Sequence, residues 1–196
     1  MSPRRRRIHR SRKSRKPILI VGFLVAVTAI IIVAYSMIGK SGSSKTKVLL
    51  STNMGDIVIQ LRDDMPITTE NFKKLVQQGV YNNTIFHRVI ADFMIQGGDP
   101  TGTGNGDPSI PAIPDEFTSN NRNDRSTIAM ANAGPNTGSS QFFINVVNNN
   151  HLDSKHPVFG KVIEGMDVVD AISKVATDQN DRPLQEVRII KAELVD

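Results

Sequence analysis

The sequence predicts a mainly β fold, an antiparallel barrel capped by two helices and preceded by one transmembrane helix. From Val48 onward, short apolar segments separated by turn residues indicate many strands. Only two stretches in that region have the apolar spacing of a helix. Before it, Ile18–Ile38 contain no charged residue and as a helix would reach about 32 Å, enough to cross a bilayer.

The chain divides by composition into four segments. Residues 1–17 are a basic segment with seven Arg and two Lys, residues 18–38 are the predicted transmembrane signal anchor, and residues 39–47 have the composition of a flexible linker. The remaining segment, residues 48–196, has the size of one ordinary domain. Nine basic residues precede the apolar span and three follow it closely, so the positive-inside rule places the N-terminus in the cytoplasm and the domain outside it. A single-pass cell-membrane protein is therefore predicted.

Other interpretations of the N-terminal region stay open. The apolar stretch could be a signal peptide cleaved after residues 34–36, although cleaved apolar regions usually span roughly 7 to 15 residues. The Arg4–Arg7 run could serve nucleic-acid binding or twin-arginine export, since basic runs occur for several reasons.

Charge within the domain argues against a nucleic-acid partner. Residues 48–196 contain twelve of the 24 Lys and Arg residues and all 19 Asp and Glu residues, a net charge of −7. Binding to phosphate backbones depends on clustered Lys and Arg, which this segment lacks. The absence of cysteine excludes disulfides and thiol catalysis.

The first predicted elements of the domain are a hairpin and a helix. Val48–Leu50 and Ile57–Leu61 flank the turn residues Asn53–Asp56, which is typical of a hairpin. A helix is predicted over Pro66–Gln78, because proline suits the first turn of a helix and the glycine that follows suits its end.

The rest of the domain is predicted to be strands, one further helix and a long loop. The predicted strands are Phe86–Val89, Met94–Gly97, Ile128–Ala131, Gln141–Asn145, Val158–Val162 and Val187–Leu194. A second helix is predicted from Met166 to about Lys174. Between Pro100 and Arg125 lies a segment rich in Gly and Pro, too long for a simple turn and therefore functional or mobile.

One stretch combines core and site residues. Residues 86–99 read F-H-R-V-I-A-D-F-M-I-Q-G-G-D, in which Arg88 lies among apolar residues. Burying an unpaired guanidinium is costly, so Arg88 must pair with a carboxylate or line a cleft. From these residues alone, two interpretations of Arg88 are equally consistent with the sequence. It could be a functional residue, or a strand arginine whose head group simply reaches solvent.

Two further blocks identify a family resemblance. Residues 130–144 read M-A-N-A-G-P-N-T-G-S-S-Q-F-F-I, and residues 152–160 read L-D-S-K-H-P-V-F-G. Together with residues 86–99, in this order and spacing, they resemble the cyclophilin family of peptidyl-prolyl cis-trans isomerases, and the membrane-anchored arrangement is similar to prokaryotic forms. The resemblance covers residues 48–196 and implies a closed eight-stranded barrel with a helix over each mouth.

The resemblance also implies the site residues. Arg88 is implied to be the catalytic arginine. The apolar proline pocket is implied to consist of Phe93, Met94, Phe143 and Leu152. The groups that hold the peptide backbone are implied to be Gln96 and Asn132, with Ala131, Ala133, Gln141 and His156 at further groove positions.

Several residues that could indicate other chemistry are interpreted as structural. The spacing of the four histidines matches no metal motif, so neither a metal nor another cofactor is predicted. His87 alternates with Arg88 and is interpreted as a hydrogen-bonded structural histidine facing the other way. Phe142, next to Phe143, is interpreted as core. Ser139 and Ser140 have no evident base, so acyl transfer has little support.

Rotation about an amide bond fits a site with one arginine, amides and apolar residues. No covalent bond is made or broken, and the barrier of about 18 to 20 kcal/mol comes from the double-bond character of the C–N bond. A guanidinium that donates to the prolyl nitrogen lowers that barrier selectively in the twisted state. The predicted partners are therefore proline-containing polypeptides, together with the membrane through the anchor.

The main hypothesis is a membrane-anchored prolyl isomerase that assists the folding of exported or membrane proteins. The alternatives are a non-catalytic prolyl-peptide binding module or holdase that uses the same groove, and a membrane scaffold that leaves it unused. Where many eukaryotic family members carry Trp before the Leu-Asp of the third block, this chain has His151. Cyclosporin is therefore expected to bind more weakly, with catalysis largely intact.

Overall fold

One antiparallel sheet organises residues 46–195, which are the residues that the computed structural model of this chain describes. Its strands are β1 (Lys47–Thr52), β2 (Gly55–Leu61), β3 (Thr84–Ile85), β4 (Arg88–Ile90), β5 (Met94–Gly97), β6 (Thr127–Met130), β7 (Phe142–Asn145), β8 (Val158–Glu164) and β9 (Arg188–Val195). The order across the sheet is β3-β9-β1-β2-β8-β6-β7-β5-β4. The prediction of a mainly β fold with two helices is confirmed.

The sheet differs from the predicted barrel in strand number and closure. Within residues 46–195 it has nine strands rather than eight, and its end strands β3 and β4 do not pair with each other. Only a single bridge, Ile85 to Asp99, links β3 to the segment after β5. The strand predicted over Phe86–Val89 overlaps β4 only at Arg88 and Val89, because Phe86 and His87 carry the chain from β3 at one end of the sheet to β4 at the other.

The two helices are α1 (Pro66–Gln77) and α2 (Met166–Ile172), and a 3₁₀ turn spans Asn150–Leu152. The backbone amides of Ile67 and Thr68 donate to the Glu116 carboxylate at 3.3 and 3.0 Å. Glu116, a residue of the long loop, therefore caps the N-terminus of α1. A carboxylate is favourable there because it lies at the positive end of the helix dipole. Gly79, with φ +72°, adopts the left-handed conformation that ends the helix.

The main core fills the inside of the curved sheet. Val89, Ile95, Ile144 and Ile128 are successive register partners across β4, β5, β7 and β6, and each is at most 1% exposed. Because side chains alternate along a strand, the neighbouring row of partners must point outward. Phe142 lies in this core and contacts Phe72 edge to face with ring centroids 5.6 Å apart, as predicted for a structural residue.

In the part of the chain from Thr46 to Val195, neither helix is long and apolar enough to cross a bilayer. The predicted transmembrane segment, residues 18–38, lies outside the described residues, as do the basic segment and most of the linker.

Candidate functional site

The predicted site residues meet on the outer face of the sheet. Arg88 on β4 is the register partner of Gln96 on β5, and Gln96 is in turn the partner of Phe143 on β7. Directly paired residues point to the same face, so these three side chains form one row across three strands. Val89, the next residue along β4, belongs to the core row and points to the opposite face. Arg88 can therefore be exposed next to a buried residue.

A second apolar cluster lies on this outer face, separate from the main core. Its buried members are Met94, Phe143, Ala129 and Val158, and the partly buried residues packed against it are Ile90, Phe93, Ala131 and Leu152. Met94 is 2% and Phe143 4% exposed, so the floor of the cluster is almost dry. The structure thus brings together all four residues predicted to form the proline pocket.

Two histidine rings border the cluster. The His156 ring lies edge-on to Phe143, with centroids 5.3 Å apart, and its Nδ1 lies 3.0 Å from the Met130 carbonyl oxygen. Only a protonated Nδ1 can donate to that carbonyl, so Nε2 is the acceptor in the neutral ring. Burial lowers the pKa of His156, with opposing effects from the Met130 hydrogen bond and Asp115. The His151 ring stacks on Phe93 at the exposed rim.

Amide side chains form the polar side of the groove. Gln96 Nε2 donates to Gln141 Oε1 at 3.0 Å, and Gln141 Nε2 donates to the Gly104 carbonyl at 3.0 Å. These residues line a cavity of about 170 Å³ together with Ala131, Asn132 and Ala133. Asn132 also lines a second cavity, of about 380 Å³, together with His156. The long loop therefore forms one wall of the groove.

Arg88 has a charged partner that the sequence did not indicate. Its Nε lies 3.3 Å from Asp181 Oδ2, and both side chains are partly exposed, at 45% and 42%. The two residues are 93 positions apart, so no local pattern could have paired them.

The wall loop is anchored by a buried carboxylate, Asp99, which is 0% exposed. Its Oδ1 accepts hydrogen bonds from the Thr101 amide and hydroxyl at 2.9 and 2.8 Å, and its Oδ2 accepts from the amides of Gly104 and Gly106 at 2.7 and 3.2 Å. Burial alone would raise the pKa of Asp99, but these hydrogen bonds outweigh it and lower the pKa. An Asp followed by Pro-Thr-Gly-Thr-Gly is a turn signal that could have identified this anchor.

Three buried asparagines hold the rim of the pocket. Asn145 Nδ2 donates to Asn123 Oδ1 and its Oδ1 accepts from Asn149 Nδ2, at 3.2 and 2.8 Å. Asn149 Nδ2 also donates to the Phe93 carbonyl at 2.9 Å. Asn123 Nδ2 lies 3.2 Å from the carbonyl oxygen of His156. The network fixes the backbone on both sides of the pocket, and sequence gave no indication of it.

His87 faces away from Arg88 and is buried, as predicted, but the predicted hydrogen bond is absent. Within residues 46–195, neither ring nitrogen makes a hydrogen bond of normal geometry. The pKa of His87 is lowered, mainly because burial disfavours the charged ring. The described residues contain no group of three or more His, Asp or Glu side chains arranged to hold a metal ion.

The arrangement can hold an apolar ring and donate to an atom beside it. Arg88 supplies a cationic donor next to the dry cluster, and the amides can bind an extended backbone. The buried Ser140 Oγ has no hydrogen-bond partner in the described part of the chain, so it is not activated by a base. The geometry fits binding and rotation of a prolyl peptide better than a covalent reaction.

Comparison with known proteins finds a large group of relatives of this chain. The family described as cyclophilin type peptidyl-prolyl cis-trans isomerase/CLD matches residues 47–194. The peptidyl-prolyl cis-trans isomerase CYP71 of Arabidopsis thaliana is 49% identical over 165 residues, which are 81% of this chain but 26% of that protein. Peptidyl-prolyl cis-trans isomerase-like 1 of Gibberella zeae is 45% identical over 155 residues, 77% of this chain and 96% of that protein.

A solved structure supports the same relationship. The crystal structure of a cyclophilin type peptidyl-prolyl cis-trans isomerase of Cryptosporidium parvum, in the presence of the dipeptide Ala-Pro, has a TM-score of 0.73 and is 35% identical. The match covers 76% of this chain and 99% of that one.

Proposed function

The chain belongs to the cyclophilin-type peptidyl-prolyl cis-trans isomerases, the enzyme class that rotates X-Pro bonds, and we propose that Arg88 is its catalytic residue. The observation that carries this proposal is the row of Arg88, Gln96 and Phe143, which sets a cationic donor beside the dry apolar cluster. Among residues 46–195, the only hydrogen bond of the Arg88 side chain is the one from Nε to Asp181, which leaves its terminal nitrogens available to a substrate.

Catalysis requires a contact that strengthens as the amide twists. The planar X-Pro bond delocalises the nitrogen lone pair, whereas the twisted bond localises it and can accept a hydrogen bond. A donor aimed at that nitrogen therefore stabilises the transition state more than the substrate. Raising a rate of about 0.01 per second to about 10 per second requires roughly 4 kcal/mol, which one charged donor and ordered binding can supply.

The other site residues hold the substrate in place. The proline ring packs on Phe93, Met94, Phe143 and Leu152. The backbone is bound by Gln96 and Asn132, with Ala131, Ala133, Gln141 and His156 along the groove. The Ala-Pro dipeptide named with the C. parvum structure is consistent with a groove for proline-containing peptides.

The test of this proposal measures the rate of isomerisation separately from the binding of a prolyl peptide. Arg88→Ala should lower isomerase activity by about 100-fold, roughly 3 kcal/mol, while a prolyl peptide still binds weakly. Phe143→Ala should impair binding as well as turnover, because it empties the pocket. Arg88→Lys should restore little, because it keeps the charge but loses the planar donor. NMR exchange on an Ala-Pro peptide measures turnover, and a titration measures binding.

Two outcomes would overturn the assignment. Near-full activity in a folded Arg88→Ala protein would exclude Arg88 as the catalytic group. An unmutated chain that binds prolyl peptides without turning them over would instead be a binding module.

The physiological role we propose is to assist the folding of exported or membrane proteins, with the domain outside the cytoplasm. What supports it is the uncharged Ile18–Ile38 stretch and the excess of basic residues before it.

A further inference from the structure

We propose that Asp181 is a positioning residue for Arg88, an inference that rests on the proposed catalytic role of that arginine. The carboxylate meets the guanidinium at Nε, with Nε and Oδ2 3.3 Å apart. A contact at Nε restrains the plane of the guanidinium from the side and leaves both terminal nitrogens free to donate. A bidentate pair through those nitrogens would instead have occupied the donors that the substrate needs.

The conformation of the segment that carries Asp181 is held by hydrogen bonds that do not involve the Asp181 carboxylate. Asp178 Oδ1 accepts hydrogen bonds from the amides of Asn180 and Arg182, at 2.8 and 3.0 Å, and the Asp178 amide donates to the Arg182 carbonyl at 2.8 Å. The Arg182 side chain donates to the Gly102 carbonyl at 2.8 Å, which ties the segment to the wall loop. In the part of the chain that the structure describes, Arg88 is the only side chain that hydrogen-bonds the Asp181 carboxylate.

The backbone of Asp181 is fixed to the same strand that carries Arg88. The Val89 amide donates to the Asp181 carbonyl at 2.8 Å, so the segment pairs with the open edge of β4 next to the arginine. Asp181 itself has φ +63°, a left-handed conformation that Asp, Asn and Gly tolerate best. The main chain thus holds the carboxylate beside Nε, and the side chain needs little further ordering.

This geometry provides a clean pair of variants. Asp181→Gly tolerates the positive φ and removes the acceptor, whereas Asp181→Asn keeps the shape and an oxygen acceptor but removes the charge. Alanine is avoided because it lacks the short polar side chain that lets Asp and Asn tolerate this φ. Glu193→Gln is the matched control, since Glu193 is a partly exposed carboxylate paired with Lys191 on β9.

The measurement uses the 196-residue chain, with detergent in every sample. Asp181→Gly should lower kcat/KM for an Ala-Pro peptide by about five- to tenfold and Asp181→Asn by about two- to threefold, because a displaced donor stabilises the twisted amide less well. Peptide Kd should stay within about twofold, since the apolar pocket is untouched. Glu193→Gln should match the unmutated chain, and Tm should change by about 3 °C or less in all three, because exposed ion pairs contribute little to stability.

Two readouts separate positioning from a general structural effect. In an Arg88→Ala background, Asp181→Gly should cause no further loss of the residual activity. In Asp181→Asn, the NMR signal of the Arg88 Nε–H group should shift while signals from α1 and α2 do not. If Asp181→Gly fails to fold, these readouts on Asp181→Asn decide the question.

Unchanged or higher activity of the Asp181 variants would contradict a positioning role for this residue. If Asp181 mainly neutralises Arg88, both variants should be as active as the unmutated chain or more so, and the proposal is overturned. Activity in the unmutated chain and its loss in Arg88→Ala would show that only the role of Asp181 had failed. If the unmutated chain is inactive, the proposed function fails, and this inference fails with it.

Discussion

At the rim of the pocket, the His151 ring lies nearly parallel to Phe93, with centroids 6.0 Å apart and planes 20° apart. The smaller imidazole covers less of the apolar surface than the Trp that many eukaryotic family members carry there. It therefore offers a large, rigid ligand such as cyclosporin less contact area.

We expect cyclosporin to bind this chain weakly, and His151→Trp to bind it about tenfold more tightly. The added ring surface and its N–H donor together account for roughly 1 to 2 kcal/mol. Fluorescence or calorimetric titration measures the affinity. Turnover of a short Ala-Pro peptide is the control and should change little, because His151 lies at the rim rather than under the proline. Equal affinity of the two proteins would contradict this account.

Individual residues differed in how far sequence could predict them. The family resemblance located Phe143 in the pocket, and strand alternation then located Phe142 in the core, because two neighbours on a strand cannot share a face. From its neighbours alone Arg88 was equally consistent with two roles, and the family resemblance favoured the catalytic one; its register with Gln96 then located it on the face of the groove. Asp181 could not be predicted at all, because its contact with Arg88 depends on how two distant segments meet.

At the level of elements, one buried charge orders the first part of the loop after β5. Asp99 accepts four hydrogen bonds from that loop, and they lower its pKa. Because the folded pKa lies below the unfolded value, the carboxylate contributes its full stability above the unfolded pKa of about 3.9. That contribution is lost as the pH falls through the folded pKa.

Asp99→Asn should therefore lower the free energy of unfolding by roughly 1.5 to 3 kcal/mol near neutral pH. The difference between the two proteins should shrink below about pH 4, where the Asp99 carboxyl is protonated first in the unfolded chain and then, as the pH falls through the lower folded pKa, in the native one. Denaturant unfolding at a series of pH values measures it. His156, whose pKa is lowered by burial, titrates in both proteins, so its effect cancels in the difference. The charge of Asp99 opposes the lowering of the His87 pKa by burial, so His87 titrates differently in the two proteins and adds its own pH dependence to the difference. A difference that does not vary with pH would exclude a role for the charge.

Element prediction succeeded where the chain follows a single periodicity. Both helices begin at the predicted residues, Pro66 and Met166, because their apolar spacing and flanking glycines agree. The strand predicted over Phe86–Val89 overlaps only β4, and β3 was not predicted. β3 pairs with β9 whereas β4 pairs with β5, and both residues of β3 are buried, so no alternation in the sequence could reveal this short strand or the change of partner after it.

At the scale of the whole described domain, the two faces of the curved sheet have different roles. The inner face holds the main core, while the outer face of β4, β5 and β7 carries Arg88, Gln96 and Phe143. The loops that cover this outer face come from three separate regions of the chain. Sequence motifs identified the groove residues, but the contacts that hold those loops became apparent only in three dimensions.

The charge distribution of the whole chain predicts its orientation in a membrane. All 19 acidic residues lie in residues 48–196, whereas nine of the basic residues precede the Ile18–Ile38 stretch. Basic segments are retained in the cytoplasm, so the isomerase domain should be exposed outside it. The protein should remain with membranes after a high-salt wash, because an apolar span is not released by screening of charges.

Protease added to intact spheroplasts should therefore digest the domain, with a cytoplasmic protein as the control for lysis. Replacing the nine basic residues of the first segment with Ser and Gln should mix or invert the orientation, since it removes the charge bias while leaving the span unchanged. A domain of the unmutated chain that is protected from protease would refute the orientation. A soluble form that begins near Met37 would indicate cleavage of the apolar stretch instead of anchoring.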